Sequence, residues 1–337
     1  MSQHNDPIET VEMHTGGEPV RIIVSGYPEL KGRTLLEKRR DARDRLDYLR
    51  RRLMHEPRGH FDMYGAVPVP ADHPDAAFAV LFLHNEGYST MCGHATIALG
   101  RWAVESGRVR RSEPETRFVL QCPCGPVAVT VEVANGRAGR VRFESVPAFA
   151  AALDRAVEVP GFGPVMLDVG YGGAFYAILP AQRLGLDMTR SPLRALVDAA
   201  TAVTQAAKAA VPLDHPDDRD LAFLYGTILT DGGDGKSVSS VNVCVFAERE
   251  VDRSPTGSGV TARLALAHAR GAARIGERHA FESLTGARFD GRIARETALG
   301  GRPAVTVEVS GKSYYTGSAR FSAEVDDPLK DGFLLRP

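Results

Sequence analysis

The chain contains 337 residues, of which 43% are hydrophobic and 25% are charged, and its formal net charge is -1. This length allows two domains with separate hydrophobic cores, and the near-zero charge gives no indication of a nucleic-acid partner. No apolar stretch approaches the roughly 20 residues that span a bilayer, residues 1–9 do not resemble a signal peptide, and four cysteines are too few for a disulfide scaffold. We therefore expect a cytoplasmic protein with free thiols that contacts neither membranes nor nucleic acid.

The N-terminal half alternates short apolar runs with helical segments. Residues 20–24 form a β-branched run that predicts a strand. Residues 35–53 place leucines among many charges, and this pattern favours a solvated amphipathic helix over a nucleic-acid patch. The apolar run at residues 78–83 predicts another strand, and an Ala/Leu-rich helix is expected after Cys92.

The same alternation continues to the C-terminus, which predicts an α/β (α+β) protein. A helix is predicted over residues 193–210, where Val211-Pro212 ends it. A late hairpin is predicted from residues 305–309 and 318–325, joined through Gly311. A domain boundary is expected near residues 146–159, an Ala-rich segment bracketed by prolines. Further strands are predicted at residues 127–133, 141–143, 165–169, 221–230 and 238–246.

Two short segments of the chain resemble each other. Residues 91–98 (MCGHATIA) and 255–262 (PTGSGVTA) each follow an apolar strand and open a helix. Each carries a reactive side chain, Cys92 or Thr256, directly before a glycine. Because the N–H groups of a first helical turn lack internal partners, a helix start can bind an anion. The 164 positions between Cys92 and Thr256 are nearly half the chain, so we expect two related domains that clamp a small carboxylate between them.

The two reactive side chains each have a structural alternative. The positive end of the helix would stabilise a Cys92 thiolate and lower the thiol pKa, although a lone cysteine is often inert and buried. Gly93 would let a ligand approach the backbone, and His94 would add a further N–H group. Thr256 could equally be an ordinary helix N-cap.

Other polar residues are weighed in the same way. Asp252 is a candidate counter-charge for a substrate ammonium group, and its alternative is a turn-forming aspartate. Cys122 and Cys124 lack a second ligand pair, so they are weak evidence for zinc and are interpreted as structural, as is Cys244. The glycine-rich segments do not match a dinucleotide or phosphate-binding fingerprint. No metal or cofactor is expected.

Five motifs extend over nearly the whole chain, namely HTGGEP (14–19), which alone could be a ligand-facing loop or a turn, EPRGH (56–60), MCGH (91–94), DVGYGGAFY (168–176) and DRSPTGSG (252–259). Together they resemble the proline racemase family. The resemblance implies the diaminopimelate-epimerase-like fold, in which two pseudo-symmetric α/β domains face each other across the active-site cleft. Residues 1–155 would carry Cys92, residues 156–317 would carry Thr256, and residues from about 318 to 337 would return to the first domain.

The second helix start departs from the racemase pattern. Racemases and epimerases of this family carry cysteine at both helix starts, and the two thiols exchange the α-proton on opposite faces. Thr256 stands where the second cysteine would be, and the Cys/Thr pair is the one that trans-3-hydroxy-L-proline dehydratases of the family show. A threonine hydroxyl cannot alternate as thiolate and thiol, but it can donate or relay a hydrogen bond to a departing hydroxide.

The resemblance therefore implies a hydro-lyase that forms Δ1-pyrroline-2-carboxylate from trans-3-hydroxy-L-proline, with Cys92 removing the α-proton. Asp252 would hold the ring ammonium. The substrate carboxylate would be bound by the N–H groups of Gly93, His94, Gly257 and Ser258.

Two alternatives remain at this point. The first is a 4-hydroxyproline epimerase or a proline racemase, against which Thr256 argues. The second is a non-catalytic carboxylate-binding protein, against which Cys92 argues. A homodimer is one assembly that the sequence leaves open.

Overall fold

The structure of the chain is a computed structural model that describes residues 6–335. The described part contains eighteen strands, four α-helices and two short 3-10 helices, at Ala181–Leu184 and Arg219–Leu221. The α-helices are α1 (Leu35–Met54), α2 (Gly93–Glu105), α3 (Leu193–Ala210) and α4 (Gly257–Ala269). The helix predicted over residues 193–210 is confirmed as α3 with the same bounds.

The strands fall into an N-terminal and a C-terminal set. The first set is β1 (Ile8–Thr15), β2 (Glu18–Ser25), β3 (Tyr64–Val69), β4 (Ala76–His84), β5 (Tyr88–Ser89), β6 (Glu115–Cys122), β7 (Gly125–Ala134) and β8 (Arg137–Glu144). The second set is β9 (Phe149–Val159), β10 (Gly163–Tyr171), β11 (Phe175–Pro180), β12 (Leu224–Thr230), β13 (Ser240–Phe246), β14 (Glu250–Asp252), β15 (Arg278–Ser283), β16 (Arg288–Leu299), β17 (Arg302–Gly311) and β18 (Ser313–Phe321).

These strands form one sheet with an internal repeat of topology. At its centre β8 pairs with β17. Outward from that pair, one side runs β8-β7-β6-β4-β3-β2-β1-β18 and the other runs β17-β16-β15-β13-β12-β11-β10-β9. The parallel pairs are β4–β6 and β2–β3 on one side, and β13–β15 and β11–β12, which occupy the equivalent places, on the other. The two halves therefore share one topology, which confirms the expected α/β fold built from two similar units.

The predicted late hairpin is wrong. Both edges of β17 are occupied, by β16 and β8, so β18 cannot pair with it. Instead β18 pairs with β1, with Phe321 opposite Ile8. In the equivalent place, β9 follows β8 in the chain but pairs with β10. The C-terminal unit therefore consists of β9 to β17, whereas β18 forms the outermost strand of the N-terminal unit, and the predicted division at residue 155 falls inside β9.

The two equivalent helices α2 and α4 lie within the strands of their own halves. Helix α2 packs against β1, β7 and β8, and α4 packs against β9, β10 and β17. Most side chains of both helices are buried, because their sequences are rich in alanine and leucine. A Cβ atom on Gly100 of α2 would lie 2.7 Å from Val141 Cγ1, so this glycine permits close contact between helix and sheet.

Helix α1 lies on the outside of the sheet, as its charge pattern predicts. Leu46, Leu49 and Leu53 are buried on one face, and Thr34 and Glu37 form a capping box at its N-terminus. None of the helices within residues 6–335 combines the length and the apolar character that crossing a membrane requires.

Candidate active site

The N-terminal ends of α2 and α4 contact each other through glycine. A Cβ atom on Gly93 would lie 2.5 Å from the Gly257 Cα atom, and one on Gly257 would lie 2.8 Å from the Gly93 Cα atom. The close neighbour of Gly93 is therefore the other helix start, which adds a packing role to the expected ligand contact. The first N–H groups of both helices have no partner four residues earlier, and the positive ends of two helix dipoles converge here.

Cys92 is the N-cap residue of α2. Its Sγ atom accepts a hydrogen bond from the Ala95 N–H at 3.3 Å. Burial nevertheless raises the pKa of the Cys92 thiol well above its usual range, and the charges of Asp252 and Glu18 add to the increase, so the hydrogen bond only partly offsets it. The expected lowering of this pKa is thus wrong for the closed site, and the resting form is the thiol.

The His94 ring lies beside that thiol. Its Nδ1 atom is 3.1 Å from Cys92 Sγ, and Tyr64 packs against the ring edge to face at 4.8 Å between centroids. Burial lowers the pKa of His94, while Asp252 and a hydrogen bond to the Pro19 backbone carbonyl partly oppose this shift. The imidazole is therefore neutral at rest.

Thr256 occupies the N-cap position of α4 without acting as a side-chain cap. Its φ of 61° and ψ of 89° are left-handed, and its side chain makes no capping hydrogen bond. The hydroxyl is buried, lies beside the Cys244 thiol and has no other hydrogen-bond partner within the described residues. The capping alternative therefore does not account for this side chain, which presents its hydroxyl to the site.

All seven predicted site residues line one small cavity of about 10 Å³. A cavity of this size holds about one water molecule. The predicted residues that line it are Cys92, Gly93, His94, Asp252, Thr256, Gly257 and Ser258. Six further residues complete the lining, namely Tyr64, Met91, Tyr176, Tyr225, Cys244 and Phe246.

Asp252 ends β14, where it forms a turn contact and also lines the cavity. Its Oδ1 atom accepts the Ser254 N–H at 2.7 Å, as a turn-forming aspartate would, and the residue also lines the cavity. Contacts from the N-terminal half hold the surrounding segment. The Arg253 guanidinium forms an ion pair with Asp62 at 2.5 Å, and the Val251 N–H donates to the same carboxylate at 2.9 Å.

Glu18 is a buried carboxyl group that sequence reasoning did not single out. Its Oε2 atom accepts the Arg253 N–H at 2.7 Å, whereas Oε1 has no hydrogen-bond partner among residues 6–335. Burial and the charge of Asp252 raise its pKa well above the usual range. Its place in the HTGGEP motif was the signal that could have identified it.

Cys244 is the other notable residue that the sequence analysis assigned elsewhere. It was interpreted as structural, but it lines the cavity from β13. Burial and the charge of Asp252 raise the pKa of its thiol, while the Thr256 side chain lowers it. Because Cys244 lies in an ordinary apolar strand pattern, only the fold reveals its position beside Thr256.

The remaining lining residues form hydrogen bonds that order the cavity. Tyr176 and Ser258 share a hydrogen bond of 2.7 Å between their hydroxyl groups, and the Tyr64 hydroxyl bonds to that of Ser89. Cys122 and Cys124 are free and buried outside this lining. Within residues 6–335, no group of three or more His, Cys, Asp or Glu side chains is arranged to hold a metal ion.

Comparison with known proteins places this geometry in a family. The sequence profile of the proline racemase family matches residues 10–334. A trans-L-3-hydroxyproline dehydratase from Xenopus tropicalis is 56% identical over 337 residues, covering 99% of this chain and 97% of the relative. A human trans-3-hydroxy-L-proline dehydratase is 56% identical over 98% of this chain and 95% of its own length. The crystal structure of a probable proline racemase from Agrobacterium radiobacter K84, with bound carbonate, superimposes with a TM-score of 0.92 at 30% identity, covering 97% of this chain and 96% of the other.

Proposed function

This chain belongs to the proline racemase family, and from that premise we propose that it dehydrates trans-3-hydroxy-L-proline to Δ1-pyrroline-2-carboxylate without a cofactor. The observation that carries the proposal is the pair of joined helix starts, one bearing the Cys92 thiol and the other the Thr256 hydroxyl. The dehydratases that are 56% identical over nearly the whole chain support the same reaction.

The substrate carboxylate is bound by the helix starts. The N–H groups of Gly93, His94, Gly257 and Ser258 belong to two first helical turns, where they are available to an anion. Asp252, which is buried and lines the cavity, faces the ring ammonium. When that cation binds, it offsets the Asp252 charge that raises the Cys92 pKa, so substrate binding itself favours the thiolate.

The Cys92 thiolate then removes the α-proton. Negative charge develops on the α-carbon and on the carboxylate, where the converging helix starts stabilise it. The electron pair forms the Cα–Cβ double bond while the C3–O bond breaks, and the hydroxide leaves as water after it receives a proton. The resulting enamine tautomerises to the cyclic imine.

Thr256 limits the outcome to elimination. Its hydroxyl does not ionise near neutral pH, so it does not return a proton to the α-carbon as a second thiol would. The buried hydroxyl is instead free to donate a hydrogen bond to the substrate. The four cysteines of the chain are all free thiols, which supports a cytoplasmic location as part of the proposal.

The test is incubation with trans-3-hydroxy-L-proline, followed by borohydride reduction of the imine to proline. We expect imine to form with the wild type and its rate to fall at least about 100-fold in Cys92→Ser, because serine is a poor base at neutral pH. Cys124→Ser is the matched control, since Cys124 is also buried but lies outside the cavity lining. Full activity of Cys92→Ser would contradict the assignment of the base.

Two parallel assays separate the alternative functions. A change in optical rotation of proline or 4-hydroxyproline at a rate matching that of dehydration would identify a racemase or epimerase. Binding of these substrates without imine formation and without α-hydrogen exchange in heavy water would identify a non-catalytic carboxylate-binding protein.

A further inference from the structure

The stereochemistry of the substrate constrains where the catalytic groups stand. This inference rests on the proposed dehydration. In trans-3-hydroxy-L-proline the hydroxyl group and the carboxylate are on opposite faces of the ring, so the α-hydrogen and the hydroxyl share one face. A base that removes the α-hydrogen and an acid that protonates the departing hydroxide must therefore approach from the same side.

Cys92 and His94 meet that requirement, because both belong to the start of one helix. Their side chains are buried, both line the cavity, and Sγ lies 3.1 Å from Nδ1. The second helix start offers only the Thr256 hydroxyl, which is a far weaker acid than an imidazolium. Cys92 and His94 are thus the pair that can reach two adjacent groups on one face of the ring.

The contacts of the His94 ring also select its tautomer. Nδ1 is closer to Cys92 Sγ than Nε2 is, at 3.1 Å against 3.6 Å. The ring also forms a hydrogen bond to the Pro19 backbone carbonyl, and we assign Nε2 as its donor because Nδ1 faces the thiol. Nδ1 is then the unprotonated nitrogen and can accept the Cys92 proton.

We infer that His94 is a catalytic residue that takes the thiol proton of Cys92 and then delivers it to the departing hydroxyl group. The proton first moves from Sγ to Nδ1, which gives a thiolate and an imidazolium. The thiolate takes the α-proton and becomes a thiol again. The C3–O bond breaks, Nδ1 gives its proton to the oxygen, and water leaves. Both residues return to their starting forms, so this elimination consumes no proton from solvent.

Cys92 acting alone would require a different resting state. If the thiol simply passed the α-proton on to the hydroxide, the enzyme would have to begin each cycle as a thiolate. Burial favours the neutral thiol and the neutral imidazole, so a proton acceptor beside Sγ is needed before the α-proton can be removed. His94 is the cavity residue within hydrogen-bond distance of Sγ that can serve as that acceptor.

The decisive experiment compares two leaving groups. Chloride leaves without a proton, so trans-3-chloro-L-proline needs the base but not the acid. In His94→Asn we expect the kcat of dehydration to fall by about 100-fold or more. The loss in kcat of chloride elimination should be smaller by a factor of at least about ten, which is roughly half of the effect on a logarithmic scale. His94→Gln is the second variant, and His73→Asn, outside the cavity lining, is the control.

A melting curve and the KM of each variant separate chemistry from folding and binding. Equal losses with both substrates would overturn the inference, because a positioning role would affect the two leaving groups alike. The wild type is also expected not to dehydrate cis-3-hydroxy-L-proline, whose hydroxyl lies on the other face, and comparable turnover of the two isomers would overturn the shared-face assignment. If the wild type eliminates from neither trans substrate, the proposed function fails, and the inference fails with it.

Discussion

Thr256 adopts a backbone conformation that threonine rarely accepts. Its φ of 61° lies in the left-handed region, where a β-branched side chain clashes with the backbone, and such strain costs about 1–3 kcal/mol. The side chain gains no capping hydrogen bond in return. A strained residue whose buried hydroxyl caps no helix is typical of a position set by function, and the structure joins these two features at the candidate active site.

Replacing Thr256 by cysteine should change the reaction. Thr256→Cys supplies a second thiol at a helix start and removes the β-branch, so we expect α-hydrogen exchange with D-proline to become measurable by NMR in heavy water. Dehydration should fall, because protons can now return on the second face. Thr261→Cys is the control, because the Thr261 hydroxyl donates a hydrogen bond to the Gly257 carbonyl oxygen within α4. Exchange that is equally fast in both variants would show that position 256 has no special access to the α-carbon.

Glu18 should make stability depend on pH in a specific direction. Its pKa is raised in the folded state, so its stabilising contribution is complete below the unfolded value of 4.5 and is lost as the pH rises toward the folded pKa. The loss reaches about 1.4 kcal/mol per pH unit. We therefore expect the free energy of unfolding in urea of Glu18→Gln, relative to that of the wild type, to be higher at about pH 8 than at about pH 5. Glu9→Gln, an exposed control, should show no such trend. A wild type that gains stability relative to Glu18→Gln as the pH rises would contradict the raised pKa of Glu18.

The contact between α2 and α4 is a feature of whole elements and depends on two glycines. A methyl group on Gly93 would meet the Gly257 backbone at 2.5 Å, and backbone cannot move aside as a side-chain tip can. We expect Gly93→Ala to lower the free energy of unfolding by about 1–3 kcal/mol and to reduce turnover further, because it displaces both helix starts. Gly87→Ala is the control, since open space surrounds its Cβ position. Normal activity in Gly93→Ala would show that the helix starts need not touch.

Local sequence patterns predicted the positions of helices and strands better than they predicted which strands pair with each other. The bounds of α3 and the helices after Cys92 and Thr256 follow from periodicity and end signals within a few residues. The partner of β18 is β1, about 300 residues earlier, and no local pattern encodes such a pairing. For the same reason Tyr225 and Cys244 were not expected in the cavity, because they come from strands whose alternation is that of an ordinary core.

At the scale of the whole molecule, the two halves close around a cavity too small for the proposed substrate. About 10 Å³ admits roughly one water molecule, so binding requires the halves to separate. Polar contacts between the two halves oppose this separation. They include the ion pair between Arg253 and Asp62 and the buried contact of 2.9 Å between His84 Nδ1 and Glu250 Oε1.

Weakening one of these contacts should expose the Cys92 thiol more often. In Arg253→Gln the ion pair to Asp62 is lost, so we expect iodoacetamide to alkylate Cys92 several-fold faster, as measured by mass spectrometry over time. Arg43→Gln is the control, because it removes an exposed pair with Asp44 far from the cleft. Unchanged alkylation in Arg253→Gln would show that this ion pair does not limit opening.

The pairing of β18 with β1 means that the two halves are completed at different times during synthesis on the ribosome. All strands of the C-terminal half, β9 to β17, are made in one continuous run, so that half has its complete set as soon as β17 emerges. The N-terminal half must wait for β18, since Thr10 pairs with Ala319. Until the last residues are translated, β1 offers an unpaired edge to any other strand. Two units with the same topology thus mature in the reverse of their order in the chain, and nascent chains that stop before β18 are the ones most exposed to mispairing.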